Sequence, residues 1–277
     1  MLRPMHADLH THSTASDGQL SPSALVQNAR EAGVEMLAIT DHDTLEGIAS
    51  INGRDCEGIH LIPGLELSAV WRNTGIHVVG LNIDLNNDVL LNGVQQQQLA
   101  RKKRAEDIAS KLEQAGFRDT LEGARRLAGG DCAGRPHFAN FLVDSGQIKD
   151  VKAAFKRYLG RGKVGDIKNC WASLQDVVDW ISAAGGTAVL AHPAKYKMTN
   201  RRLEELCNEF AAAGGQAIEV ISGTQEATLT DKLARLAERH GMLASVGSDF
   251  HQPGQPWAEL GRVPAMPSRC RPVWEYW

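Results

Sequence analysis

The chain has no C-x-x-C pair, no G-x-G-x-x-G, no P-loop and no apolar run long enough to span a bilayer. These absences exclude, in turn, a thiolate zinc site, a dinucleotide fold, an ATP-binding loop and a membrane-spanning helix. Its cysteines, Cys56, Cys132, Cys170, Cys207 and Cys270, are scattered and odd in number, so no disulfide framework is expected and the thiols are read as reduced and mostly packed. The N-terminal stretch MLRPMHADLH carries no apolar core ahead of a small-residue cleavage site, which points to a soluble, cytoplasmic protein. A net charge of -3 gives no global attraction to nucleic acid, so any surface for phosphates has to be local.

What the 277 residues do contain is enough apolar sequence, 43%, to bury one large core or a core plus an insert. Short apolar strands alternate with amphipathic helices, the pattern of a parallel sheet with crossover helices. HADLH reads as a strand, and SPSALVQNAREAG as a helix with Ser21 at the N-cap, Pro22 in its first turn and Gly33 just past its end. EMLAITDHD, IHLIPGLEL, IHVVGLNI, TAVLAHP, AIEVIS and LASVGSDFH are further strands, with SLQDVVDWISAAGG and ATLTDKLARLAERHG as helices. Over residues 85–165 the pattern changes to successive helices, read from LARKKRAEDIASKLEQAG, TLEGARRLAG, RPHFANFLVDSG and DVKAAFKRYLG. This divides the chain into an α/β body of residues 1–84 and 166–277 and a helical insert rich in lysine and arginine.

The histidines carry the chemical signal. In a strand, residues i and i+2 face one way, so Asp8, His10 and His12 form one row, and the loop DLHTHSTASDG returns Asp17 toward it. GSDFH repeats the spacing with Asp249 and His251, and His42, Glu66, His77 and His192 sit at strand ends or edges. Strand ends are where α/β barrels gather their active sites. Imidazole and carboxylate without thiolate suit manganese, iron or zinc. His6, His60 and His240 lack that context and are read as structural or surface residues.

DLHTHSTASDG, LAITDHD, PGLELS, LAHP and GSDFH, in that order, resemble the successive motifs of the PHP (polymerase and histidinol phosphatase) family. The resemblance covers nearly the whole chain. It implies a distorted (β/α)7 barrel and two or three ions, Mn2+ first, with Fe2+ or Zn2+ as alternatives. The ligands it implies are His10, His12, Asp17, His42, Glu66, His77, His192, Asp249 and His251. The insert, with GRPHFANFLVDSG and YLGRGK, is most similar to the bacterial nucleotide phosphoesterases of that family. Their substrates are nucleoside 3′,5′-bisphosphates, from which they remove the 3′-phosphate, or short 5′-phosphorylated RNA, which they degrade from its 5′ end. Both reactions cleave a 3′-phosphoester beside a 5′-phosphate, so one site serves both.

Within that reading, His192 or Asp249 is the donor to the leaving oxygen, and Asp8 and Asp41 orient imidazoles or hold loops. Arg135 and His137, two apart around Pro136 at a loop-to-helix junction, form the expected 5′-phosphate site. Arg101 and Arg104, on one helix face, and Lys163, after a glycine-rich turn, are the other candidate phosphate contacts. Trp171, Phe138 or Trp257 is expected to stack the base, and Trp180 to lie in the core. Two other functions fit the ligands: a phosphatase for a small phosphomonoester such as histidinol phosphate, and a noncatalytic metal-stabilised PHP module that binds a partner.

Overall fold

A computed structural model describes residues 5–52, 56–167 and 170–277; Met1 to Pro4, at the head of the segment read above for a leader, lie outside the described residues. Among the described residues there are eight strands: β1 (Ala7–Thr11), β2 (Met36–Ile39), β3 (His60–Trp71), β4 (Thr74–Leu81), β5 (Ala172–Ser173), β6 (Thr187–Leu190), β7 (Ala217–Ser222) and β8 (Leu243–Gly247). The helices are α1 (Pro22–Glu31), α2 (Glu46–Ala49), α3 (Asp88–Gln114), α4 (Thr120–Ala128), α5 (Arg135–Asp144), α6 (Val151–Ala154), α7 (Leu174–Ala183), α8 (Asn200–Ala212) and α9 (Ala227–Arg239). Among the described residues no helix is long and apolar enough to cross a membrane.

The chain divides into two compact units, one of Met1–Trp71, Gly75–Val94 and Ala172–Trp277, the other of Arg72–Thr74 and Gln95–Trp171. In the first, seven strands run in the order β1-β2-β3-β4-β6-β7-β8, with β5 paired to β3 off that path. The β4–β6 step is antiparallel, whereas β1–β2, β2–β3, β6–β7 and β7–β8 are parallel. The sheet returns on itself. Asp249 N–H donates to His10 O at 2.9 Å and His12 N–H to Phe250 O at 2.9 Å, beside a parallel bridge between Thr11 and Phe250. The result is the expected distorted barrel, nearly closed.

The local reasons are those visible in the sequence. Ser21 caps α1 by accepting from Ala24 N–H at 3.3 Å, Pro22 follows, and Gly33 takes φ +77° beyond the end. Ser173 and Asp176 close a reciprocal capping box at the start of α7. Leu9, Leu37, Ile39, Leu65, Leu67 and Leu190 are all within 1% of full burial, each worth roughly 1.5–3 kcal/mol of transfer free energy.

Two ladders slip by one residue. Between β1 and β2 the slip falls from Asp8 to Thr11, around His10; between β7 and β8 it falls from Glu219 to Ile221. A one-residue slip re-aims the side chains beside it. Gly247 of β8 lies so close to β1 that an added Cβ would come within 2.3 Å of His10 Cβ, and only glycine allows that approach.

The second unit has its own core, in which Ile108, Leu112, Phe138, Leu142 and Leu159 are buried. The last expected helix of the insert is divided. α6 covers one turn and Phe155–Leu159 form a π-turn, closed by Gly160 N–H donating to Phe155 O at 2.8 Å. α8 was not among the expected helices.

Candidate metal centre

Glu66, fully buried in β3, is the hub of the first unit. Its Oε1 lies 2.9 Å from His77 Nδ1, 3.0 Å from His192 Nε2 and 3.3 Å from His10 Nε2. Its Oε2 lies 2.8 Å from His42 Nδ1 and 3.4 Å from His12 Nε2. Five imidazoles from four stretches of the chain thus meet one carboxylate. Beside them His251 Nε2 is 3.3 Å and His42 Nε2 3.8 Å from Asp17 Oδ1, while Asp249 Oδ1 is 3.4 Å from His12 Nε2 and 3.7 Å from His10 Nε2. The strands place the histidines, and the backbone bends to do so: His192 (φ +27°) and Asp249 (φ +56°) both adopt positive φ, a conformation L-residues rarely take outside sites that require it.

Burial works against every charge here, and at Glu66, Asp17, Asp249, His10 and His251 the neighbours outweigh it. The surrounding imidazoles hold the Glu66 carboxyl well below its ordinary value despite desolvation, and His10 and Lys195 do the same for Asp249. His42 and His251 depress Asp17. His251, facing Asp17, is held up at about 9, whereas burial and the imidazoles of His251 and His42 push His12 down to about 3. A cluster that crowds carboxylates and imidazoles this closely has the composition of a cation site.

The polar atoms fit that reading. Among the described residues, His10 Nε2, both ring nitrogens of His12 and His192 Nδ1 are buried without a hydrogen-bond partner, a costly arrangement unless another group satisfies them. Three sets of donor atoms each lie within 4.8 Å of one another: His12, Asp17, His42 and His251; His10, His12 and Glu66; and His42, Glu66 and His77. His12, His42 and Glu66 are each shared by two sets, so these residues can hold more than one ion.

The PHP domain signature matches residues 8–181, well over half of the chain. The chain belongs to the PHP domain family. This PHP protein is 45% identical to the 5′-3′ exoribonuclease Rnm of Escherichia coli over 98% of its own length and 93% of the relative's. It is 42% identical, over 96% and 94%, to the 3′,5′-nucleoside bisphosphate phosphatase of Chromobacterium violaceum. An amidohydrolase from Chromobacterium violaceum, solved with bound sulfate and no metal, superposes with a TM-score of 0.91 at 41% identity, covering 98% of this chain and 95% of the other.

All nine residues expected to ligate metal in this PHP protein therefore meet in one cluster. His192 and Asp249 fall outside the three tight sets but touch their members, Glu66 and His12 respectively. Asp8 and Asp41 hold loops: Asp8 accepts from Ser248 N–H (2.8 Å) and Gly261 N–H (2.9 Å), and Asp41 from Ser13 N–H (2.8 Å) and the hydroxyls of Ser13 and Ser16 (2.6 Å each). His6 hydrogen-bonds Gly33 O at 2.9 Å, His240 faces Glu204 at 2.7 Å and His60 is exposed, the structural and surface roles read from the sequence.

In the second unit, Arg101 and Arg104 both lie over the Trp171 ring, each 5.2 Å from its centroid. Burial and the neighbouring Arg135 and Arg101 push Arg104 down to about 10, so the three guanidiniums are crowded. Arg135 donates to Leu159 O at 3.1 Å and faces Asp166 at 3.4 Å. His137 Nδ1 accepts from Gly134 N–H at 3.0 Å, back across the α5 N-terminus. Lys163 is exposed. Phe138 is completely buried in the helical core, so the expectation that it stacks a base is overturned. Trp171, half-buried, and Trp257, 63% exposed, keep a reachable ring, and Trp180 packs on the barrel core as expected.

Glu219 and Lys195 are functional candidates that the motifs did not single out. Glu219 is buried, its Oε2 lying 2.9 Å from His10 Nδ1 and accepting from His192 N–H at 3.0 Å. Its signal in the sequence is a lone acid in the middle of the apolar strand AIEVIS. Lys195 pairs with Asp249 and has no signal beyond following LAHP by two residues.

Proposed function

We propose that this chain is a metal-dependent phosphoesterase that cleaves the 3′-phosphoester of nucleotides carrying a 5′-phosphate. It would release phosphate from nucleoside 3′,5′-bisphosphates, mononucleotides from the 5′ end of short RNA, or both. The observation that carries this reading is the Glu66 hub, five imidazoles on one buried carboxylate with Asp17 and Asp249 beside them. The names of the two full-length relatives, an exoribonuclease and a bisphosphate phosphatase, support the two substrates as one chemistry.

His10, His12, Asp17, His42, Glu66, His77, His192, Asp249 and His251 hold two or three divalent ions, Mn2+ in the first place. Bound there, such ions acidify a water molecule and neutralise phosphoryl charge. Glu219 fixes the ring of His10 and the backbone of His192, as outer carboxylates do for ligating imidazoles. Asp249, held ionised by His10 and Lys195, is a poor proton donor, and His192 would serve the leaving 3′-oxygen only where it is not committed to a metal ion.

The helical insert, residues 85–165, supplies the contacts to the second phosphate: Arg101, Arg104, Arg135 and His137, with Lys163 at its exposed turn. Guanidiniums crowded over the Trp171 ring suit an anion attached to a flat base. A phosphatase for histidinol phosphate would have no use for them, and a noncatalytic module none for a complete set of ligands. The test compares Mn2+-reconstituted protein on adenosine 3′,5′-bisphosphate and on a 5′-phosphorylated RNA pentamer, with 5′-hydroxyl forms of both as controls. Hydrolysis that requires the 5′-phosphate supports the reading; loss of neither substrate overturns it.

A further inference from the structure

Lys195 lies in the 3₁₀ turn Pro193–Tyr196, directly after His192, and its Nζ pairs with Asp249 Oδ2. Asp249 is thereby divided: Oδ1 faces His10 and His12 at 3.7 and 3.4 Å, and Oδ2 faces the ammonium. The carboxylate is only 9% exposed, but the lysine side chain is 52% exposed. The lysine side chain therefore bridges solvent and the buried carboxylate. The turn that carries it is set by two residues at positive φ, His192 (+27°) and Lys197 (+51°), and pinned by Lys195 N–H donating to His192 O at 2.9 Å. An ammonium offers three donors and carries one of them here to Asp249.

We propose that Lys195 has two alternating partners, Asp249 before the ions bind and a non-bridging oxygen of the reacting phosphoryl group afterwards. The proposal rests on the phosphoesterase reading given above. A divalent ion at the cluster draws on the charge of Asp249 and repels a second cation beside it, which weakens the Lys195–Asp249 pair. The released ammonium stays on its short turn, with its donors toward solvent, where an incoming phosphoryl oxygen meets it. Lys195 thus competes with metal in the resting protein and binds substrate in the loaded one.

These two roles predict opposite changes on removing one charge. In Lys195→Met, Mn2+ binding to the protein without substrate, followed by calorimetric titration, tightens about fivefold, because Asp249 no longer has a competing partner. Binding of inorganic phosphate to the Mn2+-loaded protein weakens about tenfold, and kcat on the bisphosphate falls about 10²-fold, the usual cost of losing one preorganised donor. Lys195→Arg retains most of both activities. The Lys195 side chain is half exposed, and a thermal melt checks that the methionine variant stays folded. A merely structural lysine would lower metal affinity along with turnover, and that result, or unchanged phosphate binding, overturns the proposal. If the unaltered protein hydrolyses neither substrate, the phosphoesterase reading falls, while unchanged Mn2+ affinity in Lys195→Met separately overturns the competition with Asp249.

Discussion

Nδ1 of His10 and Oε2 of Glu219 lie 2.9 Å apart, both inside the barrel and both at places where a strand ladder slips by one residue. The slips bring an acid in β7 to an imidazole in β1 and leave the other nitrogen of that imidazole, Nε2, toward Glu66 and Asp249. A carboxylate on one nitrogen fixes the tautomer that presents the other as a lone pair.

Glu219→Gln is therefore expected to weaken Mn2+ binding by about 10- to 100-fold with a smaller loss of thermal stability. Metal titration and a melting curve on the same preparation measure the two. Equal binding by the variant and the parent would remove Glu219 from the metal site.

His12→Ala and Asp249→Ala are expected to lose bound metal and nearly all turnover, since His12 belongs to two of the donor sets and Asp249 touches His12 and His10. Metal content by elemental analysis after dialysis, set beside hydrolysis rates, decides this. A variant that keeps its full complement of metal and its rate would contradict the placement.

The pH dependence follows from His251. Asp17 holds this imidazole at about 9, above its ordinary 6.5, so in the metal-free protein its stabilising contact is fully present below about pH 6.5 and is lost as pH rises through about 9. Ligation needs the neutral ring, so Mn2+ must displace that proton. For this proton alone, Mn2+ affinity should climb with pH by up to about tenfold per unit below about 9. Calorimetric titrations in buffers of different ionisation enthalpy would also count the proton released. A flat affinity across this range would show that His251 does not bind the ion.

Arg135→Ala is expected chiefly to raise KM for 5′-phosphorylated substrates, by about 10- to 100-fold, while leaving kcat within a few fold. The 5′-hydroxyl substrates serve as the control, because their KM should not move. If the preference for a 5′-phosphate survives unchanged, the insert does not read that group.

The clustered residues were legible because their signals are local. Asp8, His10 and His12, or Asp249 and His251, announce themselves by a spacing of two at strand ends, and their company with His42, Glu66, His77 and His192 made a centre the economical reading. Their supports were not legible, since each depends on a distant partner. Glu219 reaches His10 across 209 positions, and Lys195 reaches Asp249 across 54. Phe138 shows the opposite failure: an aromatic near basic residues resembles a base-stacking platform, yet the period of α5 turns it into the helical core. α8 did leave a signal, Leu203, Leu206, Cys207 and Phe210 at helical spacing, that the charged residues between them obscured.

Closure of the barrel sets the order in which the centre can exist. Asp8 and Ser248, hydrogen-bonded at 2.8 Å, are 240 positions apart, and the first and last strands meet there. Contacts of such long range form late in folding, after the entropy of closing the chain has been met. During synthesis His10 and His12 emerge first, and they wait for Asp249 and His251 until almost the whole chain has been made. A chain that stops before Asp249 carries seven of the nine clustered residues, and metal held by all nine would report that the barrel has closed.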